Sequence, residues 1–565
     1  MRAVESRMKL RDSNLGQLDK RTYDVLIVGG GINGAVSAAA LSAQGVQVAL
    51  IDQADFASAT SQESSNLVWG GIKYLESGEL ALVRKLCTSR NRLIATYPSS
   101  VREIRFFTTI EPGFRRARGT IFLGLWLYWG MGDFFTRAPR LLGPRDIERE
   151  EPVIDLHGGP GGVEYSDAYL VDNDTRFVFG FVRSALDHGA MIVNYVQALG
   201  STRGEDGVWH TQARELVSGR ELQIRSRVLI NACGPWVDAY NRKNQQSTQH
   251  RHLFSKGVHL IVDRITPSRR VLTFFADDGR LFFVVPLGPK SCIGTTDTRV
   301  DELPPVVTPE DRSFILENVN KRLKLARPLG ENDIIAERCG VRPLVIDPET
   351  GRDGDWTALS RKHAVEVDAK ATHISIFGGK ITDCLNVGEE IQEAVRRFGI
   401  EPPFPRARWY GEPPDEIRDE YFHQARLMHL DERTAKESSE ALSTRLWRRY
   451  AASALSLLDE IRQDPRMAEV LIHGTEYIRC ELHHAARREM VVKLEDFMRR
   501  RSKIALIGKK RDIERAPGLM EACRILFGHD AQVRFDEYFA DLALRESQRP
   551  KSAEEIANEY AAETG

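Results

Sequence analysis

Several absences narrow the reading before any motif is considered. No stretch reaches the roughly 18 to 20 apolar residues that a membrane-spanning helix needs. The nearest run, Ile121-Phe122-Leu123-Gly124-Leu125-Trp126-Leu127-Tyr128-Trp129-Gly130-Met131, is too short. Residues 1–22 mix both charge signs and contain no apolar h-region, so no signal peptide is expected and the segment reads as a loose leader. The seven cysteines (Cys87, Cys233, Cys292, Cys339, Cys384, Cys480 and Cys523) are dispersed and form no C-x-x-C pair. That argues against a zinc ribbon or a disulfide framework and fits a reducing compartment. One charge sign does not dominate: 79 Lys+Arg face 80 Asp+Glu, for a net charge of −1. No global basic field is available for nucleic acid, and none is expected as a partner. The 14 histidines show no metal-ligand spacing, so no metal site is expected. Internal repeats and low-complexity tracts are also lacking.

What is there is a globular chain of 565 residues, 42% hydrophobic and 28% charged, long enough for about three to four domain equivalents. Asp24-Val25-Leu26-Ile27-Val28 is a short apolar run that reads as a buried strand. Gly29-Gly30-Gly31-Ile32-Asn33-Gly34 follows, then an Ala-rich helical stretch ending near Gly45, then a second strand, Val46 to Asp52. Gly29-x-Gly31-x-x-Gly34 thus stands between strand and helix. The first glycine suits a tight turn, the second lets backbone approach a pyrophosphate, and the third lets helix and strand pack closely. The helix N-terminus offers free N–H groups to phosphate. Asp52, 18 residues past Gly34, is placed to bind ribose hydroxyls, and its charge disfavours a 2′-phosphate. The motif therefore predicts a dinucleotide site built on Gly29, Gly31, Gly34 and Asp52.

The segment Ala59 to Glu76 is rich in hydroxyls and glycines, suited to wrapping a long polar cofactor. Later strands end in small-residue turns bearing one polar or cationic residue: Asn231-Ala232-Cys233-Gly234-Pro235-Trp236, Ile293-Gly294-Thr295-Thr296-Asp297, Gly340-Val341-Arg342-Pro343-Leu344 and Phe377-Gly378-Gly379-Lys380-Ile381-Thr382. Such turns suit a site assembled from many loop ends. After Pro402-Pro403-Phe404-Pro405 the text becomes helical, which places a boundary near 400. Two basic features stand apart. The apolar Ile121–Met131 run follows Phe114-Arg115-Arg116-Ala117-Arg118 and reads as a buried helix or an interfacial segment. From Arg487 to Arg511 ten Lys/Arg face three Asp/Glu, which suits a solvated helix face, anionic lipid or nucleic acid.

The order of these motifs resembles the FAD-dependent glycerol-3-phosphate dehydrogenases, within the D-amino-acid-oxidase-like flavoproteins. The likeness is carried by GGGINGA, ATSQESSNLVWGGIKYLE, EYSDAYLVDN, LINACGPWV, IGTTDT, GVRPL and FGGKIT. It runs from about Tyr23 to Thr382 and more weakly into the tail. The resemblance implies an α/β plus antiparallel β fold. A Rossmann-like FAD-binding domain would be interleaved with a β-sheet substrate (cap) domain over 23–400, and an all-α C-terminal domain would follow over 401–565. FAD would lie on the glycine loop, with Ile32 and Asn33 assigned to the site by the resemblance, and on Asp52, Thr60, Ser61, Ser64, Ser65, Leu67, Gly70, Gly71, Gly234, Gly378, Gly379 and Thr382. Arg342 and Lys380, joined by Lys73 and Tyr74, would hold a small phosphorylated polyol. His259 would take the proton from the C2 hydroxyl while hydride leaves for flavin N5. Family members are usually peripheral membrane enzymes that reduce quinone, which implies a cytoplasmic protein on the inner (cytoplasmic) membrane, with a homodimer as a further expectation. Three departures bear on the substrate. The family usually has His where this chain has Trp69, Arg where it has Lys73, and Thr where it has Asp383. Two rivals stand beside this reading: a related flavin oxidoreductase for an amino acid or 2-hydroxy acid, and a non-catalytic flavin-binding redox sensor.

Overall fold

The computed structural model of the chain describes residues 9–548 apart from 113, 115 and 347–361. Thr22–Val28 is central in a mostly parallel sheet, flanked by Val48–Ile51 on one side and Glu221–Asn231 on the other. The sheet continues to Met191–Val193 beyond the first neighbour and to His373–Phe377 beyond the second. Ala364–Asp368 adds an antiparallel edge. The hairpin Val196–Arg203 and Trp209–Glu215 extends the first half of Glu221–Asn231. Parallel strands covered on both faces carry continuous apolar runs rather than alternation, and Val25 to Ile27 and Val228 to Ile230 are almost wholly buried.

The helix Ile32–Ala43 explains the alanines that follow the glycine loop. Every residue from Asn33 to Ala43 is buried, because the helix packs against both Asp174–Asp187 and Cys384–Arg397. Small side chains allow that approach, and Gln392 Nε2 donates to the carbonyl of Ala40 at 2.7 Å.

The second sheet is largely antiparallel. Its order runs Thr298–Val300, Arg251–Asp263, Lys290–Gly294, Leu281–Leu287, Val271–Phe275, Val101–Ile110, Gly161–Leu170 and Leu67–Val68. Ala336–Ile346 pairs with Arg251–Asp263 over its whole length. The two sheets alternate along the chain, so the cap domain is inserted between strands of the parallel sheet. From Asp415 to Ser547 the chain is mainly helical, around two cores centred on Leu446, Leu457 and Tyr477, Leu526.

Three expectations are corrected. The loose leader is not loose where it is described: Leu10–Leu15 is helical, Arg11 donates to Asn194 Oδ1 at 3.0 Å and Glu215 Oε1 at 2.6 Å, and Leu18 is fully buried. Residues 1–8 lie outside the described residues. The apolar run is not a buried helix. Arg118–Met131 buries only Leu125 and Tyr128, and leaves Leu123, Trp126 and Leu127 71%, 43% and 53% exposed. Arg115, beside it, lies outside the described residues. The basic run Arg487–Arg511 is not one solvated face, because Arg499, Arg500, Arg501 and Lys503 are buried and paired with acids.

Candidate functional site

The carboxyl ends of the central strands open into a cleft of about 550 Å³. It is lined by Gly29, Gly31, Ile32, Asn33, Asp52, Thr60, Ser61, Gly234, Gly378 and Gly379 among the expected cofactor residues. Gly29 has φ +109, and a Cβ there would stand 2.4 Å from the carbonyl oxygen of Ala232. A Cβ on Gly34 would stand 1.8 Å from the carbonyl oxygen of Gly29. Only hydrogen fits at either position, so strand, turn and helix meet at backbone contact. The Ser61 hydroxyl accepts from the N–H of Ile32 at 3.1 Å, and Asn33 Nδ2 donates to the carbonyl of Gly378 at 2.9 Å.

Asp52 closes the second strand. Its carboxylate accepts from the N–H of Gly30 at 2.6 Å and of Ala54 at 2.8 Å. Burial nevertheless raises its pKa to about 6, against those backbone donors. Thr60 Oγ1 and Asn33 Oδ1 are buried with no protein partner, as expected where a polar ligand completes the hydrogen bonding. These features together fit FAD.

The remaining expected cofactor residues do not line this cleft. Gly34 faces the first strand. Ser64 is engaged with Asp174, donating through its N–H at 3.0 Å and its hydroxyl at 2.8 Å. Ser65 and Leu67 line neither this cleft nor the cavity described next, and Leu67 packs toward the cap core. The Gly70-Gly71 turn is fixed by a buried cluster: Asp167 accepts from the N–H of Gly70 at 3.0 Å, from Arg90 at 2.7 Å and from the Tyr128 hydroxyl at 2.9 Å. Thr382 Oγ1 donates to the carbonyl of Trp69 at 3.2 Å, tying this turn to the Gly378-Gly379 turn.

A second cavity of about 630 Å³ lies against the cap sheet. Lys73 and Arg342 line it, together with Trp69, Tyr165, Phe283, Thr295 and Asp297. The Arg342 guanidinium donates to Thr295 Oγ1 at 3.0 Å and Asp297 Oδ1 at 3.2 Å. It crosses Gly257, where a Cβ would come within 2.2 Å of it. Lys380 Nζ donates to the Tyr74 hydroxyl at 3.1 Å and stands 4.5 Å from that ring's centre, while Lys73 Nζ stands 5.4 Å from it. Tyr74 thus gathers two cations.

His259 is buried one strand position beyond Val258, paired opposite Gly294 and Arg338, and lines neither cavity. Its Nδ1 has no partner. Burial, followed by the charges of Arg342 and Arg338, pushes its pKa down to about 3.

Asp383 does not place its charge in either cavity. It accepts from His363 Nδ1 at 2.6 Å. Burial opposes its ionisation, but the hydrogen bond and charge of His363 hold its carboxyl below the usual range. The sequence reading did not name Asp167, Asp174, Thr295 or Asp297 as site residues. Asp167 lies in EYSDAYLVDN, Asp174 directly after it, and Thr295 and Asp297 in IGTTDT, but an acid that holds a turn cannot be told there from one that faces a ligand. Among the described residues, no three His, Cys, Asp or Glu side chains cluster as metal ligands do.

A parallel sheet with a glycine-loop cleft, an inserted antiparallel cap and a cationic second cavity define a two-layer flavoprotein oxidoreductase. Residues 24–360 match the FAD dependent oxidoreductase family, and residues 414–534 match the C-terminal domain of alpha-glycerophosphate oxidase. The glycerol-3-phosphate dehydrogenase of Pseudomonas aeruginosa is 31% identical over 500 residues, covering 86% of this chain and 92% of the relative. Glycerol-3-phosphate dehydrogenase 2 of Mycobacterium tuberculosis is 30% identical over 542 residues, covering 91% and 86%. The solved glycerol-3-phosphate dehydrogenase of Bacillus halodurans, complexed with FAD, shares the fold with a TM-score of 0.69 at 23% identity, covering 94% of this chain and 97% of that one. The chain belongs to the FAD-dependent oxidoreductases, in the glycerol-3-phosphate dehydrogenase family.

Proposed function

We propose that the protein oxidises sn-glycerol 3-phosphate at C2 to dihydroxyacetone phosphate and passes the electrons to a quinone. The observation that carries this reading is the cationic wall of the second cavity, where Arg342 is fixed across Gly257 by Thr295 and Asp297, with Lys73 lining the same cavity. A phosphate dianion favours a planar guanidinium fork reinforced by a point charge; Lys380 and Tyr74, bonded to each other, line neither cavity. The relatives named above are glycerol-3-phosphate dehydrogenases, which supports the same substrate.

Bound FAD, held by the glycine loop, Asp52 and the Gly378-Gly379 turn, supplies the hydride acceptor. The chain's own residues bind the phosphate. His259, the base expected from the sequence, lines neither cavity and is kept neutral at pH 7 first by burial and then by the charges of Arg342 and Arg338, so it is not placed to take the hydroxyl proton by direct contact.

The helix Arg118–Met131 supports peripheral placement on the cytoplasmic face of a membrane. Leu123, Trp126 and Leu127 are exposed, Phe134 and Phe135 just past its end are 60% and 49% exposed, and Arg116 and Arg137 flank the patch. An apolar, Trp-bearing face with cations at its margin suits the headgroup boundary. Thr120, Ile121, Gly124, Leu125 and Leu127 of the same segment line the second cavity, which brings that cavity close to a lipid-dissolved acceptor. Among the described residues, no helix is long and apolar enough to cross a membrane.

The test is anaerobic. Purified yellow protein is mixed with glycerol 3-phosphate, and the flavin band near ~450 nm is followed. Bleaching that disappears in Arg342→Ala supports the reading. A band that persists at saturating glycerol 3-phosphate refutes the substrate, and bleaching by a 2-hydroxy acid or amino acid instead would establish the rival oxidoreductase.

A further inference from the structure

The loop that follows Asp52 forms one wall of the cofactor cleft. Gln53, Ala54, Ala57, Ser58, Ala59, Thr60, Ser61, Gln62 and Glu63 all line it. The loop has little regular structure beyond one turn of 3₁₀ helix at Thr60–Gln62. It is nevertheless seated directly on the glycine loop. The N–H of Ala57 donates to the carbonyl of Gly30 at 3.1 Å, Ser61 accepts from Ile32, and a Cβ on Gly30 would meet the Phe56 ring at 2.7 Å. Something must hold so irregular a segment in register.

The grip comes from the C-terminal domain. Asp55 is fully buried and accepts four hydrogen bonds: Arg500 Nε at 2.7 Å, the two terminal nitrogens of Arg501 at 2.9 and 2.8 Å, and Asn194 Nδ2 at 2.9 Å. Arg499 donates to the carbonyl of Gln62 and lies 3.5 Å from Glu63. Arg500 also reaches Gln62 Oε1 at 3.3 Å. Three consecutive arginines therefore seize both ends of the loop from a point more than 430 residues away in sequence.

The seizing segment is itself pinned. Asp496–Arg501 is a single π-helical stretch, a geometry that recurs at functional sites. Asp496 Oδ2 accepts from the N–H groups of Val492 and Lys493 at 2.8 Å, and Oδ1 from the Tyr195 hydroxyl at 2.8 Å and Arg500 at 2.6 Å. The Arg501 guanidinium stacks 4.1 Å above the Phe179 ring and donates to the carbonyl of Glu489. Arginine suits this task because its planar fork fixes direction as well as charge.

We infer that Arg499, Arg500 and Arg501 of the C-terminal domain are positioning residues for FAD, acting through the loop Asp55–Glu63, so that retention of the cofactor depends on a domain that does not line the glycine loop. The inference rests on FAD binding by this family and not on the choice of substrate, so its test reads the cofactor rather than turnover.

The experiment compares three full-length holoenzymes with wild type. Arg501→Lys keeps the charge but removes the fork on Asp55. Arg499→Gln removes the contact on the carbonyl of Gln62. Leu457→Ala opens the core of the C-terminal domain, where Leu457 is fully buried and far from the loop in the packing. Free FAD is measured by its fluorescence after dilution, alongside the thermal midpoint. Arg501→Lys and Arg499→Gln are expected to raise the Kd for FAD about tenfold or more, with activity restored by excess FAD at unchanged KM for substrate. Leu457→Ala is expected to lower the thermal midpoint while leaving that Kd within about twofold. Unchanged FAD affinity in Arg499→Gln and Arg501→Lys overturns the inference, and so does an equal loss in Leu457→Ala. If Arg501→Lys yields no folded protein, Arg499→Gln decides alone.

Discussion

His363 lies beneath the Gly378-Gly379 turn's following segment, and its titration has a calculable effect on stability. Its side chain is 2% exposed, with Nδ1 2.6 Å from Asp383 and Nε2 3.0 Å from Glu390. Lys85, from the neighbouring helix Leu80–Thr96, faces the same two acids at 3.7 and 3.5 Å. Burial disfavours the imidazolium, but hydrogen bonds to Asp383 and Glu390 outweigh it and raise the pKa from 6.5 to about 9. At about 1.4 kcal/mol for each tenfold change in proton affinity, the protonated ring contributes about 3 kcal/mol. The pKa is raised on folding, so this contribution is complete below about pH 6.5 and disappears as pH rises through about 9. Asp383 and Glu390 stay ionised through that window, because His363 holds both below their usual range against burial. The assay is chemical unfolding of wild type and His363→Asn at pH 6.5, 8 and 10. The difference between the two proteins is expected to shrink by about 3 kcal/mol from the first pH to the last. A difference that is constant across the series would refute the argument.

Three further outcomes are expected. Gly34→Ala places a Cβ 1.8 Å from the carbonyl oxygen of Gly29, so the purified variant should lack FAD absorbance. Replacing Leu123 and Trp126 together by Glu should abolish cosedimentation with anionic lipid vesicles while leaving soluble turnover within about twofold, since both side chains point away from the core; retained sedimentation excludes this helix as the docking face. Trp69→His removes an indole whose Nε1 donates to the Tyr165 hydroxyl at 3.3 Å and whose ring meets Phe283 edge-on. It enlarges the second cavity, and a rise in KM for glycerol 3-phosphate with little change in kcat would show that Trp69 contributes to ground-state binding.

The strands and the glycine loop were legible in the sequence, because each depends on local pattern: a continuous apolar run, glycines where a Cβ has no room, a helix rich in alanine; the interleaving of two sheets came only through the family resemblance. Of the four residues expected to hold substrate, Arg342 and Lys73 line one cavity, whereas Lys380 and Tyr74 line neither. What was not legible depends on partners distant in the chain. Arg499, Arg500 and Arg501 read as a charged helix face, since nothing in their own segment announces Asp55. Arg11 and Leu18 sat in a stretch with no strong period, and their burial follows from Asn194, Glu215 and Tyr23. The Arg118–Met131 helix is apolar enough for a core, and only the fold decides that most of it faces outward. Asp383 shows the opposite error: its charge looked disruptive until His363, 20 residues earlier, supplied the partner.

The helix Leu10–Leu15 has a consequence for how the protein stays in solution. Among the described residues, Met191–Val193 ends the parallel sheet on its side and pairs only with Val48–Ile51. Its outer margin is an unpaired row of backbone groups of the kind that recruits strands from other molecules. The helix packs against this strand, and Asn14 Nδ2 donates to the carbonyl of Ile192 at 3.0 Å. A polar amide thus occupies a position where another chain's N–H would dock. A chain cut just before Thr22 would keep every strand and the glycine loop, yet it would bare that margin, and edge-to-edge aggregation is the expected result.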